Sequence, residues 1–508
     1  MSDNLYALFE ARFPAERGTT FIETPDGGHY SYGNLEALSG RMARLLAELG
    51  VVKGDRVAVQ VEKSPEAIFL YLACLRVGAI YLPLNTAYQA AEVAYFLGDA
   101  EPKAVVCQPE REGEIRAIAD KAGVTALLTL GADGGGTLTE RSRDRDPDAG
   151  CVAAEADDLA AILYTSGTTG RSKGAMMSHR NLGANALTLH RLWGFRPDDR
   201  LLHVLPIFHT HGLFVATNCV LLNGTGMMFL PRFDTAEVIR LLPRATVMMG
   251  VPTFYTRLLA DPDFGPEACH NMRLFISGSA PLLSETFEAF RERSGHTILE
   301  RYGMTETGMN CSNPLDGVRM AGTVGPPLPD VEVRVADEDG RLLAPGEVGV
   351  LEVNGPNVFK GYWRQPEKTT AEFRPDGFFI TGDVARIDER GYIHIVGRAK
   401  DLIISGGFNV YPKEVELLVD AIEGIGESAV IGLPHPDFGE AVTIVATRAA
   451  GVEALTAEQV IAQLKGQLAN FKLPKRVFFV DALPRNAMGK VQKNLLREEF
   501  KDSFSSAA

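Results

Sequence analysis

Between residues 30 and 300, short apolar runs alternate with stretches whose apolar residues recur at helical spacing. DRVAVQV (55–61) precedes a helical pattern near Glu66–Val77 and then AIYLPL (79–84); PKAVVCQ (102–108) and VTALLTL (124–130) follow as further strand-like runs. Apolar strands separated by helices are what a parallel α/β sheet produces. Residues 131–150 (GADGGGTLTERSRDRDPDAG) break the pattern and read as an exposed loop between two lobes. From about residue 317 the chain turns to short β runs divided by Gly, Pro and Asp, with a hairpin turn expected at Asp388–Gly391. After Gly397–Asp401 (GRAKD), helical patterns at 413–421 and 456–468 mix with the runs AVIGL, AVTIVAT and RVFFV, a length that suits an independent α+β domain. The predicted fold class is α/β. A large N-terminal domain, 1–399, holds two parallel-type α/β lobes plus a small β subdomain, and a mobile α+β C-terminal domain, 400–508, follows.

Residues 67–84 are apolar enough to suggest a membrane span, but Arg76, Gly78 and Pro83 instead predict a buried helix passing into a strand. The six cysteines are scattered singly, without a C-x-x-C pair, which argues against a disulfide framework or zinc knuckle. The N-terminus lacks the basic start and apolar core of a signal peptide, so a cytoplasmic location is expected. With a net charge of −14 the chain would repel a phosphate backbone, which disfavours nucleic-acid binding. Anionic small molecules remain open to it through local positive fields.

The sharpest local signal is YTSGTTGRSKG (164–174), placed between the apolar strand LAAIL and a helix with Ser178 as its expected N-cap. Backbone N–H groups, hydroxyls and Lys173 suit the oxygens of a triphosphate. It is not a Walker A loop, because Lys173 stands between Ser172 and Gly174 instead of preceding Ser or Thr. Further blocks are LPIFHTHGL (205–213), SGSAPL (277–282), ERYGMTET (300–307), TGD (381–383), GRAKDLIISGGFNVYPKEVE (397–416) and PRNAMGK (484–490).

Together, and in this order, these blocks resemble the acyl-adenylate-forming enzymes: acyl-CoA synthetases, adenylation domains and luciferases. The resemblance implies two steps. A carboxylate attacks the α-phosphorus of ATP to give an acyl-adenylate and pyrophosphate, and the thiol of coenzyme A then displaces AMP. An encounter between two anions needs positioning and charge neutralisation. The resemblance gives Lys490 the bridging of carboxylate and α-phosphate, Thr305 an α-phosphate contact, and Glu306 the Mg2+ ion, a hard cation suited to one carboxylate plus phosphates. Thr165, Ser166, Gly167, Thr168, Thr169 and Lys173 are expected on the phosphates; Ser279, Ala280, Tyr302 and Gly303 border adenine, with Glu300 and Met304 beside them. Asp383 and Arg398 are expected on the ribose, Lys400 at the hinge, and Ser405, Gly406 and Gly407 at coenzyme A. The resemblance gives His209 the wall of the acyl pocket, whereas His211 is read as structural. The basic stretch 465–501 reads as either a solvated face or a lid for polyanions.

Arg301 stands where aryl-CoA ligases usually carry Gly beside the acyl pocket, and the resemblance places Arg257 on a segment that borders the same pocket. A buried arginine without a partner costs about 3–5 kcal/mol, which a second carboxylate on the substrate would offset. With Ser277 as a further donor, ERYGMTET and VPTFYTRLL most resemble malonyl-CoA synthetases. Malonate is therefore the expected acid, with methylmalonate at least partly accepted; oxalate or a short-chain acid is the alternative. A monomer or weak oligomer is expected, and a lysine acetyltransferase acting on Lys490 would switch the enzyme off by removing its charge.

Overall fold

The structure is a computed structural model and describes residues 3–165, 172–405, 408–435, 438–449, 451, 455–465, 467–468, 470–486 and 489–504. The chain divides into two compact units, Met1–Glu332 with Val353–Phe379, and Val333–Glu352 with Ile380–Ala508.

Among the described residues of the first unit, two sheets carry the α/β pattern. One has the order Ala126–Thr129, Ala104–Cys107, Arg56–Gln60, Ile80–Pro83, Leu159–Thr165, Lys173–Ser178, and is parallel except for the hairpin of its last two strands. The other runs Gly308–Ser312, Leu299–Met304, Leu274–Ser277, Val247–Gly250, Arg200–His203, Gly226–Phe229, Thr20–Glu23, His29–Ser31, parallel in its interior and antiparallel at both edges. Strands such as Ala104–Cys107 and Val247–Gly250 are buried throughout, which is why they read as unbroken apolar runs. Tyr255, Phe275 and Phe290 centre the apolar core against the second sheet.

The apolar run at 67–84 is a helix, Pro65–Val77, followed by the strand Ile80–Pro83. Ser64 caps its start, Pro65 opens it, and Gly78 ends it in the left-handed region at φ 72°. Arg76 is buried, with its guanidinium donating to the carbonyls of Glu36 and Gly150 and to Ser39 Oγ. Such partners explain how a charge sits inside an apolar helix. No helix among the described residues is long and apolar enough to cross a membrane, and all six cysteines are free thiols.

Residues 131–150 depart from the expected exposed loop. A short helix, Thr137–Ser142, packs on the helix Tyr32–Glu48, with Leu138 fully buried. One buried leucine in a polar, Gly-rich stretch gives no periodicity to read.

In the second unit the β subdomain has the strand order Glu332–Ala336, Gly349–Asn354, Phe379–Ile387, Ile393–Arg398, its first and third strands beginning and its second ending in the first unit. The expected turn is present, with Gly391 N–H donating to Asp388 O. A further sheet of Phe408–Val410, Ile403–Ser405, Gly439–Arg448, Ile425–His435 and Arg476–Phe479 buries its apolar face under the helices Pro412–Asp420 and Ala457–Leu464. Leu464 ends the second helix four residues before its expected end at 468.

Candidate functional site

Parallel pairing brings the carboxyl ends of several strands to one edge of the larger sheet. Met249 pairs with His203, Gly250 with Ser277, and Ser277 with Glu300, so Arg301 follows directly from that edge. Ligands of open α/β sheets bind at such an edge. Ser277 is fully buried and its Oγ has no hydrogen-bond partner among the described residues. Arg301 is 2% exposed, and its Nε and Nη2 have none either. Burial pushes its pKa down to about 9, against a smaller opposing pull from Tyr255 and Glu300, and it remains a cation at neutral pH. Glu300 Oε1 accepts from the N–H of Leu282.

The segment Gly303–Gly308 folds back tightly. Gly303 is held against Gly308, where a Cβ would lie 2.0 Å from the carbonyl oxygen, and Met304 pairs with Gly308 across the hairpin. Glu306 is thereby buried, and its Oε1 lies 3.3 Å from Thr165 Oγ1 and 3.2 Å from the Tyr362 hydroxyl. Tyr362 also reaches Glu372 Oε2 at 2.6 Å, while Glu372 Oε1 takes Lys173 Nζ at 3.0 Å and Lys368 Nζ at 2.8 Å. Lys173 lies 4.2 Å from the centre of the Tyr362 ring. One phenolic proton serves two carboxylates, so burial and both acids drive the Tyr362 pKa far up. The two lysines fix Glu372 as a carboxylate below the usual range despite its burial. A buried carboxylate with hydroxyls around it is a hard-oxygen donor set, which fits magnesium completed by phosphate oxygens. Among the described residues no group of three or more His, Cys, Asp or Glu forms a protein metal cage.

Two expectations change in detail. Thr165 and Lys173 lie opposite each other on the antiparallel strands Leu159–Thr165 and Lys173–Ser178, so a second strand and not a helix takes up the chain at Lys173. Ser178 does cap the following helix, its Oγ accepting from Asn181 N–H, but a whole strand separates that helix start from the loop. Ser166, Gly167, Thr168 and Thr169 lie outside the described residues, as do Gly406 and Gly407. Arg257 is exposed on the helix Pro252–Ala260, whose buried face is formed by Tyr255 and Leu258.

His209 is half-buried, with Nδ1 accepting from the His211 backbone N–H at 3.2 Å. Ser279 and Ala280 are partly exposed beyond the strand Leu274–Ser277, as are Tyr302 and Thr305. In the second unit, Asp383 and Arg398 pair across neighbouring strands, Nε to Oδ1 at 2.6 Å. Lys400 is exposed, Ser405 is buried on its strand, and Lys490 is exposed with its carbonyl accepting from Asn486 N–H. Sequence reading missed Tyr362 and Glu372. GYWRQPEKTTAE gives no spacing that separates Glu372 from the solvent-facing Glu367.

Comparison with known proteins gives this geometry a context. Residues 9–363 match the AMP-binding enzyme family and residues 414–490 its C-terminal domain. The ATP-bound crystal structure of MatB from Rhodopseudomonas palustris is 57% identical, with a TM-score of 0.97 over 99% of this chain and 100% of that one. The malonate–CoA ligase of Arabidopsis thaliana is 33% identical over 549 residues, covering 99% of this chain and 90% of that protein. The long-chain-fatty-acid–CoA ligase FadD13 of Mycobacterium tuberculosis is 34% identical, covering 94% and 95%. With both family models matched in order, the chain belongs to the AMP-binding enzyme family.

Proposed function

We propose that this protein is a malonyl-CoA synthetase, converting ATP, malonate and coenzyme A to AMP, diphosphate and malonyl-CoA through a malonyl-adenylate. The observation that carries the choice of acid is Arg301, buried with two N–H groups unpartnered. An apolar acyl tail would leave those N–H groups unpaired, whereas a distal carboxylate accepts two parallel N–H bonds from them. Similarity to a malonate–CoA ligase over nearly the whole chain supports the same reading. A relative that acts on long-chain fatty acids is equally similar in identity, so the substrate rests on the pocket and not on overall likeness.

Each residue has a physical task. Thr165 and Lys173 flank the phosphate loop; Lys173 supplies positive charge to the phosphates once it exchanges Glu372 for them. Glu306 would hold magnesium, which when bound neutralises phosphate charge. Lys490 bridges the attacking carboxylate and the α-phosphate, and His209 walls the acyl group. Asp383 accepts from the ribose hydroxyls, with Arg398 fixing its orientation through their ion pair. Ser277 and Arg301 seat the distal carboxylate, and Arg257 is assigned the outer rim of that pocket. Lys400 is assigned the hinge between residues 1–399 and 400–508.

AMP formation with malonate and acetate in parallel tests the reading. Malonate is expected to exceed acetate in kcat/KM by at least about a hundredfold, because acetate leaves the arginine unpaired. Methylmalonate adds one methyl and should remain a substrate within about a hundredfold of malonate. Equal use of acetate, or full malonate activity in Arg301→Ala, would overturn it; ADP as the product would overturn the mechanism.

A further inference from the structure

His211 is among the most enclosed polar side chains near Arg301, and one of its ring nitrogens is unused. It is 1% exposed, and Nε2 has no hydrogen-bond partner among the described residues. The other nitrogen, Nδ1, lies 3.3 Å from Ser279 Oγ. Ser279 follows Gly278, against which the Arg301 guanidinium is packed, and Ser277 with its own unpartnered hydroxyl precedes it. Three buried side chains around the short segment 277–279 thus have unused hydrogen-bonding atoms. Groups left this way in a folded interior cost stability unless a ligand or an ordered water completes them, and a ligand carboxylate can serve all three at once.

The ring is also held in place. His211 opens the π-helical turn His211–Thr217, a geometry common at functional sites. Gly212 is pressed against Pro206, where a Cβ would meet the carbonyl oxygen at 2.1 Å. The Gly212 carbonyl takes Thr217 Oγ1 at 3.0 Å and His203 Nε2 at 2.9 Å, and His203 Nδ1 is in turn 2.9 Å from Lys63 Nζ. This clamp fixes the backbone on which the imidazole stands. Burial first, and then the Arg301 cation, hold the His211 ring neutral. A neutral ring has one N–H, and when Ser279 Oγ–H donates to Nδ1 that hydrogen lies on Nε2.

We propose that His211 is a specificity-determining residue, whose Nε2–H donates to the distal carboxylate of the acid alongside Arg301 and Ser277. The inference rests on the malonate reading and assigns a ligand contact to a residue that its sequence context marks only as structural. Three neutral or cationic donors on one carboxylate leave an anion satisfied and a methyl-ended acid poorly seated.

The test compares His211→Phe, His211→Asn and His211→Gln with the wild-type enzyme, following AMP formation with malonate and with acetate and recording KM for ATP. In His211→Phe the malonate KM is expected to rise by about tenfold or more with the ATP KM little changed, and the malonate-to-acetate ratio to fall by a similar factor. His211→Gln, whose amide can donate, is expected to recover part of the loss; His211→Asn serves if the phenylalanine variant does not fold. An unchanged malonate KM, or an equal loss for malonate, acetate and ATP, overturns the role of His211 while leaving the enzyme a malonyl-CoA synthetase. A wild-type enzyme that makes no AMP from malonate overturns the substrate reading itself and this inference with it.

Discussion

The guanidinium of Arg301 lies directly over Gly278, where a Cβ would stand 2.4 Å from Arg301 Cζ. The absence of a side chain at 278 is what lets a cation enter the sheet edge between Ser277 and Glu300. An alanine there leaves the buried guanidinium no room to retreat, since Arg301 is almost wholly enclosed. Gly278→Ala is therefore expected to lower kcat/KM for malonate by at least about tenfold, while acetate, which does not use the cation, loses less. Parallel AMP assays read the ratio, and equal losses would mean that the glycine serves packing alone.

Arg257 presents a contrasting case. It is exposed on the helix Pro252–Ala260, so water screens its charge. As a rim cation it should act on encounter more than on the bound state. Arg257→Ala is expected to raise the malonate KM by less than about tenfold and to flatten its dependence on salt, whereas Arg301→Ala should cost about a hundredfold at any salt concentration. A KM titration from low to moderate ionic strength separates the two arginines. Identical salt dependence in Arg257→Ala and wild type would remove Arg257 from the site.

Strand–helix alternation and the ordered motifs make much of this arrangement legible in the amino-acid sequence alone. Both describe local properties: a buried strand must be apolar, and a phosphate-contacting loop must be small and polar. Arg301 stands out for the same reason, because a charge in a predicted core demands a partner. What stays hidden depends on distant pairing. Nothing in YTSGTTGRSKG says that Lys173 returns as a strand opposite Thr165, since a six-residue strand of KGAMMS has too few alternations to differ from the start of a helix. Tyr362, and through it Glu372, is invisible because its contact with Glu306 joins positions 56 residues apart. His211 reads as structural because the unused nitrogen emerges only once Ser279 and Arg301 are folded beside it.

The Tyr362 hydroxyl lies between Glu306 and Glu372. Its loss removes one of the hydroxyls that orient Glu306, Thr165 Oγ1 being another, and a less firmly oriented carboxylate is a weaker cation ligand. Tyr362→Phe is expected to raise the magnesium concentration giving half-maximal AMP formation by about tenfold, with little change in the malonate KM at saturating magnesium. A magnesium titration at fixed ATP and malonate checks it. If the malonate KM moves and the magnesium midpoint does not, Tyr362 serves the acyl pocket instead.

Stability should respond to a carboxylate that takes no part in the candidate site. Asp420, the last residue of the helix Pro412–Asp420, accepts from Ser428 Oγ at 2.6 Å, and burial raises its pKa from the ordinary 3.8 to about 6. A raised carboxyl pKa means that the folded chain holds the proton more tightly than the unfolded one. Below the unfolded value the group is protonated in both states and contributes nothing. Between that value and about 6 stability falls as pH rises, and above about 6 the full penalty, on the order of 2–3 kcal/mol, is present. Asparagine keeps an oxygen for Ser428 and carries no charge. Asp420→Asn is thus expected to raise the denaturation midpoint near neutral pH, with the gain shrinking as pH is lowered toward about 4. Urea titrations of both proteins across that range would reveal it, and a gain independent of pH would show that the buried charge is not its source.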